Sequence, residues 1–266
     1  MNKKTIFKYI LIFASVLILI PILLVFTWSF VSRWPWPDLF PNHFSLKGLS
    51  EVFGEYSKTI VVLFSSIFLS LISSVISTII GFLTARALAL YNFKGKAFFR
   101  AISMLPMIIP ANIFAMGIHS TFIKYGLSDT LFGVVLCHVI FSLPYTINIL
   151  LGVMENIGAK YEQQATMLGC HPLLAIIHIS LPIMIQAICA SLSMGFIISY
   201  SQYFLTMLIG GGKIITFSTL MMPFISSGDR TVASVYVSIF ILSSLLIFIA
   251  LNFISSILTK RGAETK

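Results

Sequence analysis

The sequence predicts an all-α polytopic membrane protein with six transmembrane helices. Of its 266 residues, 58% are hydrophobic and only 9% are charged, against about 25% charged in an average soluble domain. Mean hydropathy is +1.01. The apolar residues come in continuous runs near or above the roughly twenty residues that cross a bilayer as a helix. A soluble fold of this size has no way to hide so much apolar surface, because its outside must be wet. Composition therefore excludes an ordinary cytosolic enzyme, a disordered chain and a disulfide scaffold. Strands of a membrane barrel would be alternating segments of about ten residues.

The six runs are 7–31, 59–85, 101–123, 131–154, 181–209 and 231–258. At 1.5 Å per residue each can cross a hydrocarbon core of about 30 Å. Pro106 and Pro110 fall inside the third, where either can kink it. A re-entrant segment is the alternative reading there. Lys3, Lys4 and Lys8 precede the first run, as in a secretory signal. The run is too long for a signal and ends in Trp28, Trp34 and Trp36 with no small-residue cleavage site. It reads as a retained anchor with an interfacial aromatic belt.

Charge placement sets the orientation. With a cytoplasmic N-terminus, eleven Lys and Arg against three acids fall inside, and six against five fall outside. The positive-inside rule then puts both termini in the cytoplasm. The formal charge of +9 is thus mostly the imprint of insertion and of contact with anionic lipid, not of nucleic acid. Cys137, Cys170 and Cys189 form no metal-ligand spacing and read as small apolar filler. The chain reads as a single transmembrane domain, 1–266, with no soluble stretch long enough to fold alone and no internal repeat visible by eye.

No catalytic constellation is present. Gly210-Gly211-Gly212-Lys213 lacks the first glycine and the hydroxyl residue of a phosphate loop, and reads as a flexible turn. The span centres hold no Asp, Glu, Lys or Arg, although ion-coupled transporters usually bury such groups along their path. The polar groups at membrane depth are neutral, among them His119, His138, Tyr145 and Asn148. Each fits a helix–helix hydrogen-bonding role or a solute contact. Ser199-Tyr200-Ser201-Gln202-Tyr203 is the densest polar cluster, and five such side chains in a row cannot all face lipid. Tyr145, Asn148, Ser199, Gln202 and Tyr203 are the candidate pathway-lining residues.

The sharpest feature is the inside loop, 155–180. Tyr161, Ala165 and Leu168 stand at i, i+4 and i+7, one face of a short helix. Gly169 suits the residue after its end, and Pro172 suits the first position of a second helix. A loop that only connects spans needs about 2–8 residues. This one has 26 and its own periodicity, which predicts a docking element for a cytoplasmic partner.

That loop resembles the EAA loop of permease subunits of ATP-binding-cassette (ABC) importers, whose pattern is EAA-x3-G-x9-I-x-L-P. The aligned residues are Gln163, Gln164, Ala165, Gly169, Ile179, Leu181 and Pro182. Both spacers are kept, and five of the seven defined positions match. Gln163 and Gln164 depart from the pattern, and Glu162 keeps an acid one residue earlier. The six-span layout and Leu105-Pro106 with Pro110 extend the likeness over nearly the whole chain. The prolyl, aromatic outside stretch 34–41 is similar to the first loop of the spermidine/putrescine, thiamine, iron and phosphonate branch. The resemblance implies the type I ABC importer permease fold in a bacterial cytoplasmic membrane. It implies two permease chains, alike or different, two separate ATPase subunits and an external solute-binding protein. It implies no cofactor in this chain, with ATP and magnesium in the ATPase partner. Tyr161, Glu162, Gln163, Gln164, Ala165, Leu168, Gly169, Pro172, Leu181 and Pro182 are then the coupling residues. Leu168 and Ala165 would form the buried face, and Glu162 and Gln163 the polar rim. A stand-alone secondary transporter or channel is the alternative from another class, and would work without ATP.

Overall fold

A computed structural model describes residues 3–34, 41, 43–54 and 57–264. Of the outside stretch 34–41, only Trp34 and Pro41 fall among them, so Trp36 and its neighbours lie outside the described residues.

Among the described residues the fold is all-α apart from one small hairpin. Helix α1 (Lys3–Trp28) is followed by strands β1 (Val31–Arg33) and β2 (His43–Phe44), α2 (Lys47–Val52) and α3 (Thr59–Leu90). Then come α4 (Lys96–Ile108), α5 (Ala111–Lys124), α6 (Leu131–Ile157) and α7 (Lys160–Met167). Next are α8 (Pro172–Ala175), a π-helical turn (Ile176–Ser180) and α9 (Leu181–Ile183). The chain ends with α10 (Ile185–Tyr200), α11 (Phe204–Gly210), α12 (Phe217–Ser227) and α13 (Arg230–Glu264).

Among the described residues, four helices are long and apolar enough to span a membrane alone: Phe7–Trp28, Thr59–Leu90, Leu131–Ile157 and Arg230–Thr259. Two bent pairs bring the number up to six. The third run is not one straight rod. It breaks between α4 and α5 with a bend of 108°. Pro110 forces the preceding Ile109 into extended backbone (φ −82°, ψ 130°), which ends α4. The fifth run bends by 74° at Met184 and ends at Tyr200, nine residues before the expected boundary at 209. The first ends at Trp28, because Val31 is already paired with Phe44 in the hairpin.

The chain divides into two compact units, one of residues 1–62 with 220–243 and the other of 63–219 with 244–266. In the first unit, the C-terminal end of α1 is tied to α13. Ser29 and Ser238 share a hydrogen bond of 2.8 Å, and the Thr231 hydroxyl donates to the Val31 carbonyl at 2.9 Å. The Arg230 guanidinium lies over the Trp28 ring at 5.2 Å.

In the second unit α6 is the central helix, with 56% of its apolar window buried against 0% for that of α1. Its neighbours come close because the facing residues are small. The Ser74 hydroxyl of α3 donates to the Leu192 carbonyl of α10 at 2.6 Å. A Cβ placed on Gly195 would lie 3.2 Å from the Ser77 hydroxyl and 3.4 Å from the Ser74 backbone. Thr146 of α6 donates to the Ser77 carbonyl at 3.1 Å. Close backbone approach with hydroxyl cross-links is how helices associate where no hydrophobic effect drives them together. Apolar clusters fill either side of this seam, one around Phe82, Leu150, Met154 and Met184, the other around Phe122, Val134, Leu205 and Ile209.

The turn before α6 is tight. The Thr130 hydroxyl accepts from the Gly133 N–H at 3.0 Å and donates to the Leu127 carbonyl at 2.7 Å. A Cβ on Gly133 would stand 2.0 Å from the Leu127 carbonyl oxygen, whereas one on Gly152 of the same helix would meet nothing within 4 Å. Gly133→Ala should therefore destabilise the protein by about 1–3 kcal/mol or more through overpacking. Gly152→Ala should leave stability unchanged or raise it by up to about 1 kcal/mol. Thermal denaturation of the detergent-purified protein checks the pair, and equal effects at both sites would contradict the packing described.

Candidate functional site

The 155–180 loop folds into the helix, glycine turn and second helix that its periodicity predicts. Helix α7 closes in a Schellman motif. Gly169 takes φ +88°, its N–H donates to the Thr166 carbonyl, and the Cys170 N–H reaches back to the Ala165 carbonyl, both at 3.0 Å. A left-handed backbone at this point is what glycine allows without steric cost. His171 caps α8 by accepting the Leu173 N–H on Nδ1 at 3.3 Å, and Pro172 occupies the first turn.

The tip of this loop is apolar and open. Leu168 is 89% exposed and Met167 86%. Tyr161, Gln163 and Gln164 are exposed, and Ala165 is half-buried. Leu181 packs against the inner apolar cluster, and the neighbouring Pro182 is exposed.

Glu162 behaves differently from the rim residue expected of it. It turns inward, forms an ion pair with Arg86 of α3, and accepts a hydrogen bond from the Ser180 hydroxyl. The two charged side chains are 14% and 12% exposed. Arg86 also donates to the Tyr91 hydroxyl at 2.9 Å. The polar rim therefore falls to Gln163 and Gln164. Glu162 in the first turn of α7 also faces the positive end of the helix dipole. In the sequence, Arg86 is only one of the many basic residues that set the charge balance. Its partner is 76 residues away along the chain, and no local pattern announces such a pair.

The other candidates fall at two places. Ser199, Gln202 and Tyr203 stand where α10 ends and α11 begins. Tyr145 and Asn148 lie one turn apart on α6, where Asn148 approaches the Met104 sulfur at 3.1 Å. No hydrogen bond among the described residues joins the two groups. Ser199 is buried and bonded to His138 Nδ1 at 2.8 Å, while His138 Nε2 meets the Thr206 hydroxyl at 2.9 Å. Thr206 spends its proton on the Gln202 carbonyl at 2.6 Å. It must then accept from Nε2–H, which leaves Nδ1 to accept from Ser199. The Ser218 hydroxyl also donates to the Gln202 carbonyl, at 3.1 Å. The helix break is thus satisfied by side chains, as backbone in a membrane requires. Tyr203 donates to the Met207 sulfur at 3.0 Å.

Between α5 and α6, Asp129 is the one non-glycine residue with positive φ (61°) among those described. Its N–H donates to the Ile209 carbonyl at 2.7 Å, and its carboxylate pairs with Lys213 at 3.1 Å.

Comparison with known proteins places this geometry in context. Residues 77–262 match the family model described as binding-protein-dependent transport system inner membrane component. A sulfate transport system permease protein of Salmonella typhimurium is 23% identical over 221 residues, covering 77% of each chain. A spermidine/putrescine transport system permease protein of Haemophilus influenzae is 23% identical over 197 residues, covering 74% of this chain and 75% of that one. A probable sulfate permease of a Helicosporidium species is 26% identical over 155 residues, and there this chain spans 57% of the relative's length. Among solved structures, a chain in the crystal structure of a bacterial alginate ABC transporter, in complex with an alginate pentasaccharide-bound periplasmic protein, superposes with a TM-score of 0.71. The match covers 97% of this chain and 96% of that one at 16% identity, and shows a shared fold.

Removing one partner of the Glu162–Arg86 pair strands a largely buried charge, which costs about 3–5 kcal/mol. Glu162→Gln and Arg86→Gln should each loosen the loop, raising its cleavage by protease and lowering the denaturation temperature. The double variant should lie closer to the parent than either single one. Single variants indistinguishable from the parent would show that the pair does not hold the loop.

Proposed function

The chain belongs to the family of binding-protein-dependent transport system inner membrane components, and from that premise we propose that its 155–180 loop is where a separate ATPase drives the spans. The protein is the membrane-spanning permease subunit of an ABC importer, not an enzyme. Its proposed setting is a bacterial cytoplasmic membrane, with both termini on the cytoplasmic side. Two ATPase subunits, which hold the ATP and magnesium, sit below two permease chains, and an external binding protein delivers solute from above.

The observation that carries this reading is the bare apolar tip of α7. Leu168 and Met167 are almost fully exposed on an otherwise polar helix. Covering two such side chains contributes about 1.5–3 kcal/mol each, which favours a partner groove. The Schellman turn at Gly169 aims that tip, and the Glu162–Arg86 pair fastens its base to α3. A push on the tip is then delivered to a span. Such a push changes the spans only if the tip's contacts differ between two states of the partner.

Tyr145, Asn148, Ser199, Gln202 and Tyr203 remain the proposed pathway residues. Gln202 and Tyr203 are the stronger pair, because both are partly accessible at a helix break. The relatives' names point to opposite charges, a sulfate anion in one case and polyamine cations in the other. Solute choice is accordingly assigned to the external binding protein.

Leu168→Asp should leave the permease's own stability unchanged, since the side chain touches little of its own chain. It should reduce co-purification of the ATPase and lower ATP-driven uptake in proteoliposomes by tenfold or more. Gly169→Pro, which forbids φ +88° and removes the N–H bonded to Thr166, should preserve ATP hydrolysis in any assembled complex while abolishing uptake. Normal uptake by the reconstituted complex with either change would overturn the coupling role.

A further inference from the structure

The segment between α3 and α5 is not used by the coupling reading, and its surface is unusual. Helix α4 has thirteen residues, about 20 Å at 1.5 Å per residue. It is turned 108° from α5 and contains no buried residue. Phe98, Ile102 and Leu105 stand at i, i+4 and i+7 and form one exposed apolar stripe. A different face packs on α6, where Arg100 pairs with Glu155 at 3.3 Å and Met104 meets Asn148. At the helix's N-terminal end, exposed Tyr91, Phe93 and Phe99 surround Lys94 and Lys96.

The charge here is one-sided. The sequence has no Asp or Glu between Glu55 and Asp129. Among the described residues neither lysine forms an ion pair, and Lys96 donates only to the Tyr91 carbonyl at 3.2 Å. An amphipathic helix with an apolar stripe, flanking aromatics and unpaired cations is suited to lie in the headgroup region of a bilayer, and each lysine there adds attraction to anionic lipid.

We propose that residues 91–108 form an in-plane anchor on the cytoplasmic leaflet. Phe98, Ile102 and Leu105 enter the acyl boundary, and Lys94 and Lys96 bind the phosphates of anionic phospholipid. The occupant is lipid rather than protein because two lysines without an ion pair stand at one end of the apolar stripe and the segment is continuous with two membrane helices. The inference rests on the chain being a membrane subunit and on its inside-positive orientation, not on the docking role of the 155–180 loop.

The test is native mass spectrometry of the detergent-purified permease–ATPase complex titrated with phosphatidylglycerol or phosphatidylcholine. A detergent micelle has no sides, so the result is separate from any test of orientation or coupling. The parent should retain phosphatidylglycerol preferentially. Lys94→Gln with Lys96→Gln should weaken that retention about 25-fold, roughly fivefold per lysine, with phosphatidylcholine unaffected. Arginine at both positions should restore the preference. A parent without preference, or a double glutamine variant that keeps it, overturns the proposal. Loss of the ATPase with lipid retention unchanged would also overturn it, by assigning the surface to a protein partner.

Discussion

A carboxylate and a guanidinium, each mostly covered near the C-terminal end of α3, join the short helix α7 to the long helices. Glu162 and Arg86 are each costly to desolvate, and a pair of this kind contributes less to net stability than to choosing one arrangement. The arrangement chosen here is specific. Ser180 donates to the same carboxylate, so the beginning of α7 and the end of the π-helical turn meet on one side chain. The loop is thereby clamped at its base and free at its tip. Without the clamp, the exposed Leu168 would sit on a tether rather than on a lever.

Inside the bilayer the organising constraint is of another kind. Every backbone polar group must find a partner within the protein. Where α10 stops, the Gln202 carbonyl is met by two hydroxyls, and a histidine orients one of them, that of Thr206. Where α4 stops, Pro110 has no N–H to satisfy. Along the remaining length of α3, α6 and α10, serine, threonine and glycine let the backbones approach until hydroxyl-to-carbonyl bonds form across the gap. The polar residues at membrane depth are mostly this kind of cross-link.

These two constraints explain what was legible in the sequence. Continuous apolar runs revealed the long helices because hydrophobic length is a one-dimensional property. The α7 turn was legible because Gly169, Pro172 and the i, i+4, i+7 spacing act within a dozen residues. The break at Tyr200 was not, since no proline or glycine marks it and its hydroxyl partners come from Thr206 and Ser218, beyond the break. The 108° bend was half visible: Pro110 announced an interruption, but its angle depends on what α4 packs against. Glu162 was read as outward-facing because its acid character fitted a known pattern. Only the fold could show that Arg86 reaches it first.

The directional chain through His138 has a mechanical corollary. Ser199, the imidazole, Thr206 and the Gln202 carbonyl form donors and acceptors in one fixed order across α6, α10 and the start of α11. Sliding α10 along α6 by a single residue, about 1.5 Å, would misalign that order, and a buried imidazole offers no spare acceptor. Piston travel at this depth would cost both imidazole bonds, whereas a rigid swivel of the three helices together would keep all of them.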